Sequence, residues 1–518
     1  MYIDQALLRA VQIAPNGVAT KYLSRSQTWT EFLNTVQCVA SGITHLGVKQ
    51  GDNVGILALN CDYYLEVLYA SSWGGVPIVP VNTRLASREV AFLLDDANVN
   101  VIFIDDAFVG EIDAIQSHMK NTLTCIYIGE NTCPEELISY EQVKSSPPAP
   151  SVEAGGDSLA GLFYTGGTTG RSKGVMLSHD NIMFNAINAA PVMNYDVDTI
   201  YLHAAPMFHL ADMASTYAVT LAGGQHCFSS RFIPQDVGET IEKEKITHLL
   251  LVPTMLNALI NDPSSLRSDF TSLQRMLYGA SPMPEAVLLK AMDVLPNVGF
   301  VQGYGQTEAS PLITTLQPEY HVLSGSNAGR LTSAGQAALG VQVQVMDNDL
   351  QEVPRGEVGE ICARGGNVMM GYWGLNDATA EALRGGWLHT GDMGYMDEDG
   401  FVFLVDRAKD MIISGGENVY SVEVEDAIYK HPAVKECAVI GIPSEKWGEQ
   451  VHAVAVLHES ELLDETELIK HCKEYIAGYK CPRSVLITDE PLPVSGAGKI
   501  LKNELRKPWW DGLDKAVN

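Results

Sequence analysis

Five short runs constrain the fold more than anything else in the chain. They are VGILAL at 54–59, PIVPV at 77–81, NVIFID at 100–105, CIYIG at 125–129 and HLLLV at 248–252, each apolar almost throughout. A strand that is apolar on both faces must be covered on both, which calls for helices on either side of a largely parallel sheet. Helix-like segments separate these runs, so the expected class is α/β.

A chain of 518 residues exceeds one core, because single cores stop growing near roughly 250–300 residues. The Pro/Ser/Gly-rich connector SSPPAPSVEAGG at 145–156 is expected to separate two subdomains. Near the end, GFVFLV at 400–405 reads as a strand, followed by the charged segment DRAKDMIISGGENVY. SVEVEDAIYK at 421–430 then reads as a helix with Ser421 as N-cap and acids in its first turn. The expected division is residues 1–408 and residues 409–518.

With 63 acidic against 34 basic side chains the net charge is -29, which disfavours nucleic acid or an anionic membrane as the main partner. The nine cysteines form no CxxC pair, so neither a disulfide framework nor a zinc site is expected, and a reducing, cytoplasmic setting fits. The N-terminal MYIDQALLRAVQ lacks the basic and apolar regions of a leader, and no apolar run reaches the ~20 residues of a membrane span.

The stretch LFYTGGTTGRSKGVML at 162–177 has four glycines, three threonines, an arginine and a lysine between apolar flanks. Such glycines let backbone N–H groups converge on an anion, and hydroxyls and a lysine add donors and charge. The run before it reads as a strand and Ser178 after it as a helix N-cap, the usual setting of a phosphate loop. It is not a Walker A loop, since Lys173 follows Ser172 and precedes Gly174.

This loop resembles the phosphate loop of the acyl-adenylate-forming superfamily, which includes acyl- and aryl-CoA ligases, adenylation domains and luciferases. Seven further segments resemble that family in the same order: PMFHLAD from Pro206, YGAS from Tyr278, GYGQTE from Gly303, GEICARG from Gly359, GWLHTGD from Gly386, DRAKDMIISGGENVYSVEVE from Asp406 and PVSGAGKILKNELR from Pro493. Two positions depart from the pattern: Gly166 stands where Ser is common, removing one hydroxyl, and Ser172 where Pro is common. The resemblance implies a large N-terminal domain of layered α/β sandwich subdomains plus a β-barrel-like part, and a small mobile α+β C-terminal domain.

It also implies roles. Lys499 is the adenylation lysine that bridges carboxylate and α-phosphate. Thr165, Gly166, Gly167, Thr168, Thr169 and Lys173 cradle the outer phosphates of ATP. Glu308 and Thr307 serve the metal and the α-phosphate, with Glu308 and Thr165 as Mg²⁺ ligands. Gly279, Ala280 and Ser281 pass the adenine, Tyr304 and Gly305 continue the nucleotide site, and Asp392 with Arg407 holds the ribose. Lys409 is the hinge, and Gly415, Gly416 and Glu417 line the thiol channel after the small domain turns. His209 lies between acyl pocket and thiol tunnel as a gate.

The implied reaction is ATP-dependent ligation of a carboxylic acid, fatty or otherwise small, to CoA, releasing AMP and pyrophosphate. The alternatives are an aryl or cinnamic acid–CoA ligase and a free-standing enzyme loading a carrier protein. A luciferase-like oxygenase and a non-catalytic nucleotide binder are disfavoured, the first by the C-terminal KAVN and the second by the presence of both Lys499 and Glu308. The expected partners are the acid, ATP and CoA, and since homodimers are common among relatives, a second copy of the chain.

Overall fold

The computed structural model describes every residue except 166–171, Ala408, Ala497 and 511–518, and at Ala214 the backbone alone. Among the described residues the strands gather into four sheets. The apolar runs of the sequence account for two. Val54–Leu57, Ile78–Pro80, Val101–Ile104 and Thr124–Tyr127 lie parallel at the heart of an eight-stranded sheet. His248–Leu251 takes the corresponding place in a nine-stranded sheet, parallel to Ile200–His203 and Arg275–Gly279. Nearly every residue of these strands is buried, as strands covered on both faces must be.

The barrel-like part of the expectation corresponds to a four-stranded antiparallel sheet, ordered Gln342–Met346, Gly359–Arg364, Leu388–Met396 and Val402–Arg407. A final five-stranded sheet holds Ile412–Ser414, Glu417–Val419, Val434–Ser444, Gly448–Leu457 and Ser484–Thr488. Buried apolar residues from Ile412 to Cys481 pack into a cluster of their own, while the main core runs from Ile3 to Val402. No helix of the described residues is long and apolar enough to cross a membrane.

Three local expectations are corrected. The connector at 145–156 does not separate subdomains. Strands on either side of it, Val101–Ile104 before and Leu159–Thr165 after, belong to the same eight-stranded sheet, and the connector is pinned back on that unit by Trp73 Nε1, which donates to Ala149 O at 2.9 Å. The glycine-rich segment does not join a strand to a helix. Leu159–Thr165 and Lys173–Ser178 pair antiparallel with Thr165 opposite Lys173, and the helix His179–Met193 begins only after the second strand. The alternation of buried Val175 and Leu177 with half-buried Met176 is the strand period that the motif's glycines had masked. Ser178 does cap that helix, accepting from Asn181 N at 3.1 Å. Ser421 does not cap its own. It is the first helical residue of Ser421–Tyr429, Tyr420 holds the cap position, and the backbone N–H of Ser421 donates instead to Asp406 Oδ2 at 2.5 Å.

Candidate active site

The site lies where the C-terminal loop meets the ends of the nine-stranded and four-stranded sheets. Ser495 and Lys499 close on each other: Ser495 N donates to Lys499 O at 2.7 Å, and Lys499 N to Ser495 Oγ at 3.1 Å. Contacts with the turn after the strand Ile78–Pro80 and with the helix Pro253–Asn261 dock these residues. Arg84 Nη1 donates to Ser495 O at 2.7 Å, and Thr254 Oγ1 to Gly498 O at 3.3 Å. Lys499 is thereby inserted among Arg407, Asp392, Glu308 and Lys409, all of which act on its charge. Its pKa is pushed down to about 8, first by loss of water around the ammonium and then by the Arg407 guanidinium, against the pull of Asp392 and Glu308.

Asp392 is buried midway along the strand Leu388–Met396 and already holds two partners. Tyr304 OH donates to Oδ2 at 2.9 Å, and Arg407 Nε lies 2.9 Å from Oδ1. The Asp392–Arg407 pairing is also a strand pairing, so backbone register brings the two together. The acid in turn holds Arg407 further in its charged form. Tyr304, expected to touch nucleotide, thus spends its hydroxyl on Asp392, the acid expected to hold the ribose.

Glu308 sits in the short turn Thr307–Ala309 that follows the strand Gly299–Gly305, and it is buried. Its Oε1 accepts from Tyr372 OH at 2.9 Å, and the Tyr372 ring lies 4.9 Å from Lys173 Nζ. One aromatic side chain therefore joins the lysine at the end of the glycine-rich hairpin to the carboxylate expected to face the metal. Thr165 faces Lys173 across the hairpin. Gly166, Gly167, Thr168 and Thr169 lie outside the described residues. Glu308 and Thr165 offer only hard oxygens, a donor set that fits Mg²⁺.

The proposed adenine platform is a close approach of two backbones. Gly279 pairs with Gly303 in register, and a Cβ on Gly279 would lie 2.1 Å from Gly303 O. Ala280, next along, adopts φ +67°, a left-handed conformation uncommon for a residue other than glycine. Ser281 and Gly305 stand half-exposed beside it.

His209 is the cap of the helix Leu210–Ala222, its Nδ1 accepting from Ala211 N at 3.2 Å. Desolvation, with Lys499 nearby, pushes its pKa down to about 3, so the ring is neutral at working pH. Gly415 and Gly416 do not join this group in the conformation described. They are exposed, at φ +66° and +86°, between the strands Ile412–Ser414 and Glu417–Val419, and Gly415 N donates to Trp447 O. Glu417 is exposed beside them, and Lys409 is exposed one residue past the undescribed Ala408.

Sequence reasoning missed Tyr372, Arg84 and Thr254. Tyr372 follows the GEICARG segment closely and carried an aromatic signal, but Arg84 and Thr254 contact a loop hundreds of residues away and have no local signature.

The chain matches the AMP-binding enzyme family over residues 7–373 and the AMP-binding enzyme C-terminal domain over residues 423–499. It is 37% identical over 501 residues to a feruloyl-CoA synthase of Amycolatopsis sp, covering 96% of this chain and 97% of that protein. It is 33% identical to a fatty acid–[acyl-carrier-protein] ligase of Streptomyces coeruleorubidus, covering 98% and 96%. Its fold superposes on the o-succinylbenzoate CoA synthetase of Bacillus subtilis, solved with an acyl-adenylate intermediate, with TM-score 0.83, 30% identity and 97% of each chain covered. With both family segments, the docked lysine loop and the Asp392–Arg407 pair in place, the chain belongs to the AMP-binding enzyme family and is an enzyme of its acid–CoA ligase group.

Proposed function

We propose that this protein activates a fatty or other small carboxylic acid with ATP, forms an acyl-adenylate, and transfers the acyl group to CoA. The observation that carries this reading is the placement of Lys499 among Arg407, Asp392 and Glu308 by a loop docked on Arg84 and Thr254. In this reading the first step takes place with that loop docked on Arg84 and Thr254.

In that step a carboxylate oxygen bonds to the α-phosphorus, the bond to the bridging β-oxygen breaks, and pyrophosphate leaves. Two anions must meet, so the barrier is largely electrostatic and positional. Lys499, protonated below pH about 8, stands between them and neutralises both. Asp392 accepts the ribose hydroxyls and fixes the α-phosphate relative to that ammonium, with Arg407 holding the acid in place. Thr165, the glycine-rich segment and Lys173 hold the departing phosphates. Glu308 and Thr165 would hold Mg²⁺, which when bound offsets charge on the phosphate oxygens.

In the second step the CoA sulfur bonds to the acyl carbon, the acyl–phosphate bond breaks, AMP leaves, and the thiol proton goes to solvent. Lys499 and pantetheine need the same opening, so residues 409–518 turn about Lys409 between steps and carry Gly415, Gly416 and Glu417 to the channel. His209, neutral and fixed by its cap bond, borders that opening. The nine free cysteines, eight of them buried, support a reducing cytoplasmic setting.

The test is pyrophosphate release from ATP over a panel of fatty, cinnamic and benzoic acids, with acyl-CoA measured in parallel. CoA-dependent AMP release with at least one acid supports the reading. Transfer only to a carrier protein, with no acyl-CoA formed, contradicts it.

A further inference from the structure

The carboxylate of Glu360 is held by three donors, and two of them, His389 and Gly391, lie on the strand of Asp392. Gly391 N donates to Oε1 at 2.9 Å, while Arg384 Nη2 at 2.9 Å and His389 Nδ1 at 2.7 Å donate to Oε2. Glu360 lies on the strand Gly359–Arg364, and His389, Gly391 and Asp392 lie on its antiparallel neighbour Leu388–Met396.

The two strands are not in simple register here. Glu360 faces Met393 and Cys362 faces His389, so Thr390, Gly391 and Asp392 together stand opposite Ile361. This is a bulge, the device that re-aims a side chain at the end of a ladder. Gly391 at its centre has φ +70°, and Thr390 Oγ1 donates to Ile361 O at 2.7 Å while accepting from Asp392 N at 3.1 Å. The bulge is therefore stapled twice, by Glu360 through Gly391 and by Thr390 through Ile361. His389 makes its hydrogen bonds through Nδ1 alone, its buried Nε2 having no partner among the described residues, so Glu360 also sets the orientation of that ring.

Glu360, Cys362 and His389 bring their ligand atoms within 4.8 Å of one another, a spread that a metal ion could use. The guanidinium of Arg384 on Glu360 Oε2 argues against it, since a cation placed there meets another cation at contact distance. The same guanidinium suits a carboxylate whose task is to hold neighbouring donors.

We propose that Glu360 is a positioning residue for nucleotide recognition: its carboxylate holds the Thr390–Asp392 bulge so that Asp392 faces the ribose hydroxyls. The inference rests on the reading of Asp392 as the ribose acid. Glu360 touches no substrate and acts through Gly391 and His389.

The test is titration of the full chain with ATP and with 3′-deoxy-ATP, for wild type, Asp392→Asn, Glu360→Ala and Glu360→Gln, with thermal melts confirming that each variant is folded. Wild type is expected to prefer ATP by about tenfold, the worth of a hydrogen bond to a charged group. Asp392→Asn and Glu360→Ala should both erase most of that preference, and Glu360→Gln, which keeps an acceptor for Gly391, should erase less. A folded Glu360→Ala that keeps the full preference while Asp392→Asn loses it overturns the inference and leaves the ribose reading standing. A preference that survives Asp392→Asn removes the ribose reading, and this inference with it. If Glu360→Ala does not fold, Glu360→Gln decides in the same way.

Discussion

Tyr372 OH donates to Glu308 Oε1 at 2.9 Å, and the same ring carries Lys173 Nζ on its face at 4.9 Å. Lys173 and Glu308, the proposed outer-phosphate lysine and metal carboxylate, are thus oriented by one side chain that touches both. Tyr372→Phe keeps the ring and removes the donor. Loss of a hydrogen bond to a carboxylate is worth about 1.5–3 kcal/mol, so adenylate formation should fall by about tenfold or more, chiefly through the KM for Mg-ATP. Thioester formation from preformed acyl-AMP should be nearly unchanged, and half-reaction assays check both.

The pH dependence follows from Lys499. Its folded pKa of about 8 lies below the ordinary lysine value, so the ammonium is fully charged only below that pH. The kcat/KM for adenylation should fall as pH rises through about 8, since that parameter reports the free enzyme. The stability sign is opposite. Between about 8 and the unfolded value the unfolded chain binds more protons at this site, so this group's contribution to stability rises with pH across that window. A Lys499→Arg variant, charged throughout, should lose the alkaline limb whatever its absolute rate. Rate profiles and melting temperatures from pH 6.5 to about 9.5 separate the two effects.

The hinge prediction concerns Lys409 and the contact just before it. Asp406 belongs to the strand Val402–Arg407, yet its Oδ2 accepts from Ser421 N, and Lys502 Nζ reaches Ser421 Oγ at 2.6 Å and Glu425 at 2.7 Å. Ser421, Glu425 and Lys502 all lie beyond Lys409, so the proposed rotation about that residue would break the bond to Asp406 and carry the others along. Lys409→Pro, which fixes φ, should suppress one half-reaction at least about tenfold more than the other. Equal effects on both would move the hinge elsewhere.

How far the sequence alone carries differs by element. Val54–Leu57 and His248–Leu251 were readable because strands buried on both faces are apolar without interruption, a signal that needs no partner. Lys173–Ser178 was missed as a strand because its glycine-rich approach and the Ser178 cap both point to a helix, and only pairing with Leu159–Thr165 settles it. Ser421 was misplaced by one residue because serine and acids in a first turn match a capping pattern, whereas Asp406, fifteen residues upstream, satisfies that N–H. Lys499, Glu308 and Asp392, singled out through the order of motifs, are brought together by the structure. Arg84 and Thr254 were not legible, because a contact across hundreds of residues leaves no periodicity or spacing to read, and Tyr372 was passed over although it lies just beyond a motif.

The central claim is that Lys499 serves the first half-reaction and leaves for the second. The direct measurement is Lys499→Ala assayed in each half separately, adenylate formation from acid and ATP, and acyl-CoA formation from preformed acyl-AMP and CoA. Removing an ammonium proposed to stand between two anions should lower the first by at least about a hundredfold and leave the second within about threefold of wild type. Equal loss in both half-reactions would contradict the account.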